Sequence, residues 1–421
     1  MRFDKIKQTS VVLVSLCLTM GLASSALAKT YTLRADRTTL TMPDGTAVPV
    51  WGFADDTAGP GTGVVTLPGP VLDLPAADGN LTINLVNMLP VPVSINIPGL
   101  RVNPVPVRDN SDGKGLRVLS FSSQAPAAVN GVPGPPTSFV FTVLKPGTYL
   151  YQSGTNPATQ VPMGLYGAVI IRPAAAGQAY SDPASAYGNE QVVLVSEIDP
   201  NLNVFVDTNG TAVDSVNQVN YSLTYAPKYF LLNGKTYPDT AMVTPQMKAP
   251  AGTKTLLRLL NAGVQNHMPG VAGRPLRVIA EDGNFLTYAR DEIIPVLSAG
   301  KTLDALLDLT AVPPTEPNFF VLSDRRTNRA GTDNPLGSMV AFLESFPVGV
   351  NCSPFKGDLN GDGQITVVDV LLVLNLVVTN GYDPNGDVTP LSATGLPCGK
   401  GAGPLTLSDA LSILKKAMGI N

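Results

Sequence analysis

The chain has 421 residues, 44% of them hydrophobic and only 14% charged, with 40 glycines, 38 prolines and a formal charge of −4. That length is ample for two or three domains, each with its own core. The weakly acidic balance offers no basic face for nucleic acid, and this much Gly and Pro argues against helical bundles and for short strands joined by tight turns.

The first 28 residues open with Arg2, Lys5 and Lys7, run apolar from Val11 to about Leu22 and end in Ala26-Leu27-Ala28. This is the pattern of a secretory signal peptide cleaved after Ala28. A membrane anchor is the competing reading, but the run is short for a span of ~20 residues, and Ser and Thr interrupt it. The mature chain is therefore expected to be secreted, in the extracellular space, at the cell surface or in the periplasm, with no membrane span. Losing Arg2, Lys5, Lys7 and Asp4 takes 28 basic and 32 acidic residues to 25 and 31, a mature charge of −6. Cys17 is lost with the leader. Cys352 and Cys398 remain, and an oxidising compartment favours a disulfide between them over two free thiols.

Residues 29–173 read as β structure throughout. The stretches TYTLRA, LTINLVNML, SFVFTVL and GLYGAVIIRP are punctuated by the turns PDG, PGP, ADGN and KPGT, as in a Greek-key sandwich. Residues 174–190 are small and polar without periodicity and read as a linker. A second β domain, 191–348, carries the strands VVLVSEI, KYFLLNG, KTLLRLLNAG, LRVIAEDG, TLDALLDL and MVAFLESF. The last region, 349–421, changes character: an acidic, Gly-containing loop leads into a helix, and LTLSDALSILKKAMG repeats the helix, with Ser408 as its expected N-cap and Gly419 as its stop.

Counting from Asp358 as position 1 puts Asn360 at 3, Asp362 at 5, Gly363 at 6, the Gln364 carbonyl at 7, Thr366 at 9 and Asp369 at 12. That is the oxygen-ligand spacing of an EF-hand type calcium loop. A second, irregular copy comprises Asp383, Asn385 and Asp387, separated from Asp409 by an insertion that contains Cys398. It is either a split calcium site or one that has lost its metal. The alternative for the first loop is an Asn/Gly turn, which has no need of acids at positions 1, 5 and 12. Calcium is the expected cofactor, as a stabiliser of folding. Lys415 and Lys416 sit favourably near the end of the last helix.

The short Asp at position 12, followed by an exiting helix with no entering one, resembles the dockerin family. That resemblance implies a protein partner held through loop positions 10 and 11, here Val367 and Val368 in the first copy and Leu407 and Ser408 in the second. The apolar pair suits a partner other than the usual one, or docking against the chain's own β domains. Self-association through this module or through sheet edges is also expected.

Residues 65–346 resemble the multicopper oxidases, which implies two cupredoxin-like domains. The resemblance rests on LPGPVLDLPAADGNLTINLVNMLPVPVSINIPGL, on YLYQSGTNPATQVPMGLYGAVIIR, and in the second domain on RLLNAGVQNHMPGVAGRPLRVIAEDGNFL and AGKTLDALLDL. The family's His-Trp-His-Gly motif corresponds to Asn96, Ile97, Pro98 and Gly99, and its Tyr-His-Ser-His motif to Tyr151, Gln152, Ser153 and Gly154. Copper selects imidazole and thiolate over carboxylate and carbonyl, and this chain has one histidine, His267. Copper is therefore not expected from this count. His267, in QNHMPG, reads as a hydrogen-bonded structural histidine at a strand end. Met163, Met242, Met247 and Met268 read as core filler, and Glu281-Asp282 as a strand entering a DGN turn. No Gly-x-Ser-x-Gly elbow appears, and nothing selects a carboxylate pair for glycoside cleavage.

The expected fold class is mainly β: two cupredoxin-like Greek-key β-sandwich domains plus a small α-helical dockerin-like calcium-binding domain. The expected role is that of a non-catalytic, multicopper-oxidase-like protein acting in extracellular or cell-surface binding or assembly. The alternative is an oxidoreductase component of the multicopper oxidase type that acts only with copper-bearing partner chains.

Overall fold

The computed structural model describes residues 28–102, 106–110, 113, 117–120, 122–240, 247–312, 318–326, 338–346, 357–360, 364–379, 386, 388–389 and 405–418. Nearly all of the expected leader 1–28 lies outside these, as do Cys352, Cys398, Asp362, Asp383, Asn385, Asp387, Met242 and Gly419.

Strands up to Arg172 form the first β unit. A five-stranded sheet runs in the order Ala47–Asp55, Lys29–Thr41, Asn80–Asn87, Thr137–Thr142, Arg101–Val102; a three-stranded sheet orders Leu72–Pro75, Tyr166–Arg172, Gly147–Gln152. Asn80–Asn87 buries every second residue, so Leu81, Ile83 and Leu85 enter a core with Leu33, Trp51, Phe53, Phe141 and Tyr151. The period of two does the sorting. Tyr151 lies 5.5 Å from Phe53, ring to ring, and its hydroxyl donates to Pro70 O at 2.8 Å. A Cβ on Gly167 would stand 2.4 Å from that Tyr151 ring, so the ring requires a glycine there.

The second unit has a six-stranded sheet, Tyr229–Leu232, Asn189–Ile198, Lys254–Asn261, Thr302–Asp308, Leu276–Glu281, Asn284–Glu292, facing a four-stranded one, Met247–Pro250, Val340–Phe346, Asn318–Asp324, Pro269–Val271. Lys254–Asn261 is buried along its whole length after Lys254, which is why KTLLRLLN shows no alternation. Asp282 and Gly283, at φ 49° and 70°, make the two-residue turn into Asn284–Glu292, as DG should. Met163 and Met247 are core residues.

The two units share buried surface. Val50, Leu150, Tyr166 and Ala168 of the first pack against Leu194, Ile198, Tyr229 and Leu260 of the second. The stretch 174–190 takes part in this packing: Ala179, Tyr180 and Ser185 are buried, the first two against Leu256, Ile279 and Leu306. Its composition gave no sign of this.

Beside that contact, Arg258 is fully buried. Its Nε donates to Glu190 Oε2 at 3.0 Å, its Nη1 donates to Thr148 Oγ1 at 2.8 Å, and it stands 3.6 Å from Asp304. Asp304 in turn accepts from Thr148 Oγ1 at 2.6 Å and Tyr180 Oη at 2.5 Å. Thr148 belongs to the first unit, Arg258 and Asp304 to the second.

At the C-terminal end, helices Val367–Thr379 and Leu407–Ala417 pack through Val370, Val373, Ala410 and Ile413. The second helix begins at Leu407 after Thr406, two residues earlier than Ser408 would set it. Asp409 decides this: its Oδ2 accepts from Thr406 N at 2.8 Å and Thr406 Oγ1 at 2.7 Å, a reciprocal cap that Ser408 lacks. No described helix is long and apolar enough to cross a membrane.

Candidate functional site

The two motif-bearing segments of the first unit meet. Asn96 and Gln152 form an isolated antiparallel bridge, Asn96 N donating to Gln152 O at 2.8 Å and Gln152 N to Asn96 O at 2.9 Å. In such a pair the two Cα atoms lie about 5.5 Å apart with side chains on one face. Thus the positions that correspond to histidines in two separate motifs, 56 residues apart in sequence, are direct neighbours in space.

Behind the bridge is a buried cluster of neutral polar groups. Thr155 Oγ1 donates to Ser94 Oγ at 2.9 Å and accepts from Gln124 Nε2 at 3.0 Å, with Ser120 Oγ 3.3 Å away. Ser153 Oγ donates to Gln160 Oε1 at 2.6 Å, and Gln160 Nε2 donates to Pro92 O at 2.9 Å. Ser122 Oγ is buried without a hydrogen-bond partner among the described residues. Gly154 lets the strands close up, since a Cβ there would come 3.0 Å from Ser94 Oγ and 3.1 Å from Asn96 Cβ. Hydroxyls and amides at this corner can hold substrates or water, but they are poor copper ligands.

His267 stands apart, in the second unit. Its Nε2 lies 2.7 Å from Glu197 Oε1 and its Nδ1 2.7 Å from Asp324 Oδ2, with all three side chains fully buried. It pairs through its backbone with Leu297 in an isolated bridge, outside the strands rather than at the strand end expected of it. Its carboxylate partners lie 70 and 57 positions away in sequence and were not identified.

The expected oxygen ligands of the first C-terminal loop are only partly described. Asp369 is buried, its Oδ1 accepting from Leu359 N at 2.8 Å and Asn360 N at 3.3 Å, its Oδ2 from Thr366 N at 2.9 Å. Those backbone bonds hold its pKa below the usual carboxylate range despite burial. Asp409 makes the same kind of contacts, to Val388 N and Thr389 N on one oxygen and to Thr406 on the other. Among the described residues both acids therefore tie a loop to a helix start. Asp358, Asn360 and Gln364 are described, but no group of three His, Cys, Asp or Glu side chains able to hold a metal occurs among the described residues.

Two family models, each described as multicopper oxidase, match residues 36–176 and 206–342, one on each β unit. This is a multicopper oxidase-like chain. Its fold is mainly β and cupredoxin-like. Among solved structures it is similar to the blue copper oxidase from Nitrosomonas europaea, with TM-score 0.55 and 17% identity over 76% of this chain and 86% of that one. The copper nitrite reductase of the same organism gives 0.52 and 17% over 77% and 95%. The laccase from Botrytis aclada gives 0.52 and 20% over 81% of this chain but only 56% of that one. No curated protein matches.

Two expectations are corrected by these findings. A non-catalytic chain was expected, yet both β units match an enzyme family whose structural neighbours are oxidases, laccases and nitrite reductases. Calcium was expected with copper set aside, yet the family and the copper-named neighbours point to copper, and none of the comparisons points to calcium. The expectation rested on the ligand count, whereas the family match and the copper-named neighbours point the other way. The count itself stands: one imidazole, already engaged at both nitrogens, does not fit a complete copper centre.

Proposed function

We propose that this chain is an oxidoreductase component of the multicopper oxidase type that acts with copper-bearing partner chains. The observation that carries the reading is the mismatch between its two halves: multicopper oxidase models cover both β units, while the only imidazole is sequestered between Glu197 and Asp324. Copper then depends on ligands supplied from outside the chain. What this chain supplies is a rigid pair of cupredoxin-like Greek-key sandwiches and, at the Asn96–Gln152 bridge, a face of amides and hydroxyls that can orient a polar substrate or a water molecule.

In this reading the mature chain is exported, and its C-terminal helix pair serves as a dockerin-like attachment to its partner. In support, exposed apolar residues recur at matched positions of the two helices, Val367 and Leu407, Leu371 and Leu411.

The test compares oxidation of a simple phenol by two preparations, the isolated chain loaded with copper(II) and the complex recovered through a tag on this chain from cells that produce it. Turnover by the complex and none by the isolated chain is expected. Turnover by the isolated chain alone, or a complex without turnover, overturns the proposal.

A further inference from the structure

The Glu197–His267–Asp324 constellation is not used by the reading above, and its geometry fixes a proton. A neutral imidazole has one N–H, yet each ring nitrogen here faces a carboxylate oxygen at 2.7 Å. Only an imidazolium donates at both positions while both acids stay ionised. Both acids also accept from backbone amides: Glu197 from Val264 N at 2.9 Å and Gln265 N at 3.1 Å, and Asp324 from Met268 N at 3.2 Å and Arg326 N at 3.1 Å.

The three residues come from three parts of the second unit. Glu197 lies on Asn189–Ile198 of the six-stranded sheet, Asp324 ends Asn318–Asp324 of the four-stranded sheet, and His267 lies on the segment that crosses between them. The four amides bonded to the two acids bracket His267, three of them within 264–268.

We propose that Glu197, His267 and Asp324 form a proton-operated latch that closes the segment 262–268 onto both sheets and releases it at alkaline pH. Burial acts to lower the His267 pKa, but the hydrogen bonds to Asp324 and Glu197 outweigh it and leave the pKa raised. A raised folded pKa means that the stabilisation is complete below the unfolded value of about 6.5 and is lost as pH rises through the folded one. Asp324 sets the acid limit. Burial acts to raise its pKa, but the His267 hydrogen bond and the backbone donors hold it lowered, so its contribution is present above about 3.9 and is lost as pH falls through the folded value.

The other charged or titratable groups around the latch do not supply this switch. Tyr225 Oη stands 3.4 Å from Glu197 Oε2, and both Tyr225 and Tyr166, which also faces Glu197, have pKa values raised by burial. Asp199 is occupied by Asn201 N and Ala226 N. Arg326 donates to Asn266 O at 3.2 Å, and the Arg325 amide donates to Met268 O at 2.9 Å.

Because the chain has one histidine, its ring can be titrated by nitrogen-15 NMR on the intact protein without assignment. Two protonated ring nitrogens at pH 7, with the transition above 6.5, are expected. A neutral ring at pH 7 overturns the latch. Hydrogen exchange of 262–268, corrected for its intrinsic pH dependence, is expected to lose protection at least tenfold across the same transition. The His267→Gln variant, which cannot titrate, is expected to show no such step. Protection in the parent that does not change across the ring's transition also overturns the proposal.

Discussion

Replacing Arg258 with Met removes the cation at the contact between the two β units while keeping the apolar stem. Asp304 would then be left fully buried with its hydroxyl donors but no counter-charge; Glu190 keeps Arg172 as a partner. Breaking a buried pair from one side costs about 3–5 kcal/mol. At roughly 2–4 °C per kcal/mol for a unit of this size, the melting temperature should fall by about 6–20 °C near pH 7.

The pH dependence of that loss identifies its cause. Burial raises the Asp304 pKa, with Arg258 opposing. Without Arg258 it should rise further, so the variant's deficit should shrink as pH falls and Asp304 takes a proton. Adding Asp304→Leu should recover part of the loss, because an apolar pair leaves no buried charge. The assay is thermal unfolding by circular dichroism from pH 4 to 8. A shift below about 3 °C that does not vary with pH would refute the claim that Arg258 compensates Asp304 at this contact.

Two further substitutions address other parts of the molecule. Asn96→His with Gln152→His places two imidazoles on one bridge and should retain copper(II) through gel filtration at about one equivalent, where the parent chain alone retains less; no gain would mean that the two segments do not present their side chains to a common face. Asp409→Ala removes the acceptor that caps Leu407–Ala417 and should cost about 1 kcal/mol, seen as faster hydrogen exchange in that helix with Asn189–Ile198 unchanged.

The β architecture was legible wherever one face meets water. LTINLVNML alternates because alternate side chains enter the core, and DG between two strands announced the turn at Asp282-Gly283. His267 read correctly as a hydrogen-bonded histidine, though it sits in an isolated bridge rather than at a strand end. Its acids did not read at all, since Glu197 and Asp324 are brought to it only by the closing of two sheets. The stretch 174–190 misled in another way: small polar residues suggest a spacer, but Ala179 and Tyr180 fill a crevice at Leu256 and Leu306, and a crevice has no sequence signature. The cofactor was misread because the donor count was weighed above the family resemblance that residues 65–346 already carried.

Copper content measured by mass spectrometry, on the complex recovered through this chain and on the isolated chain after incubation with copper, tests the central claim most directly. At least one copper per chain in the complex, and less than one on the isolated chain, is the expected result. A complex free of copper, or an isolated chain that holds a full equivalent by itself, would contradict a shared copper-dependent oxidoreductase.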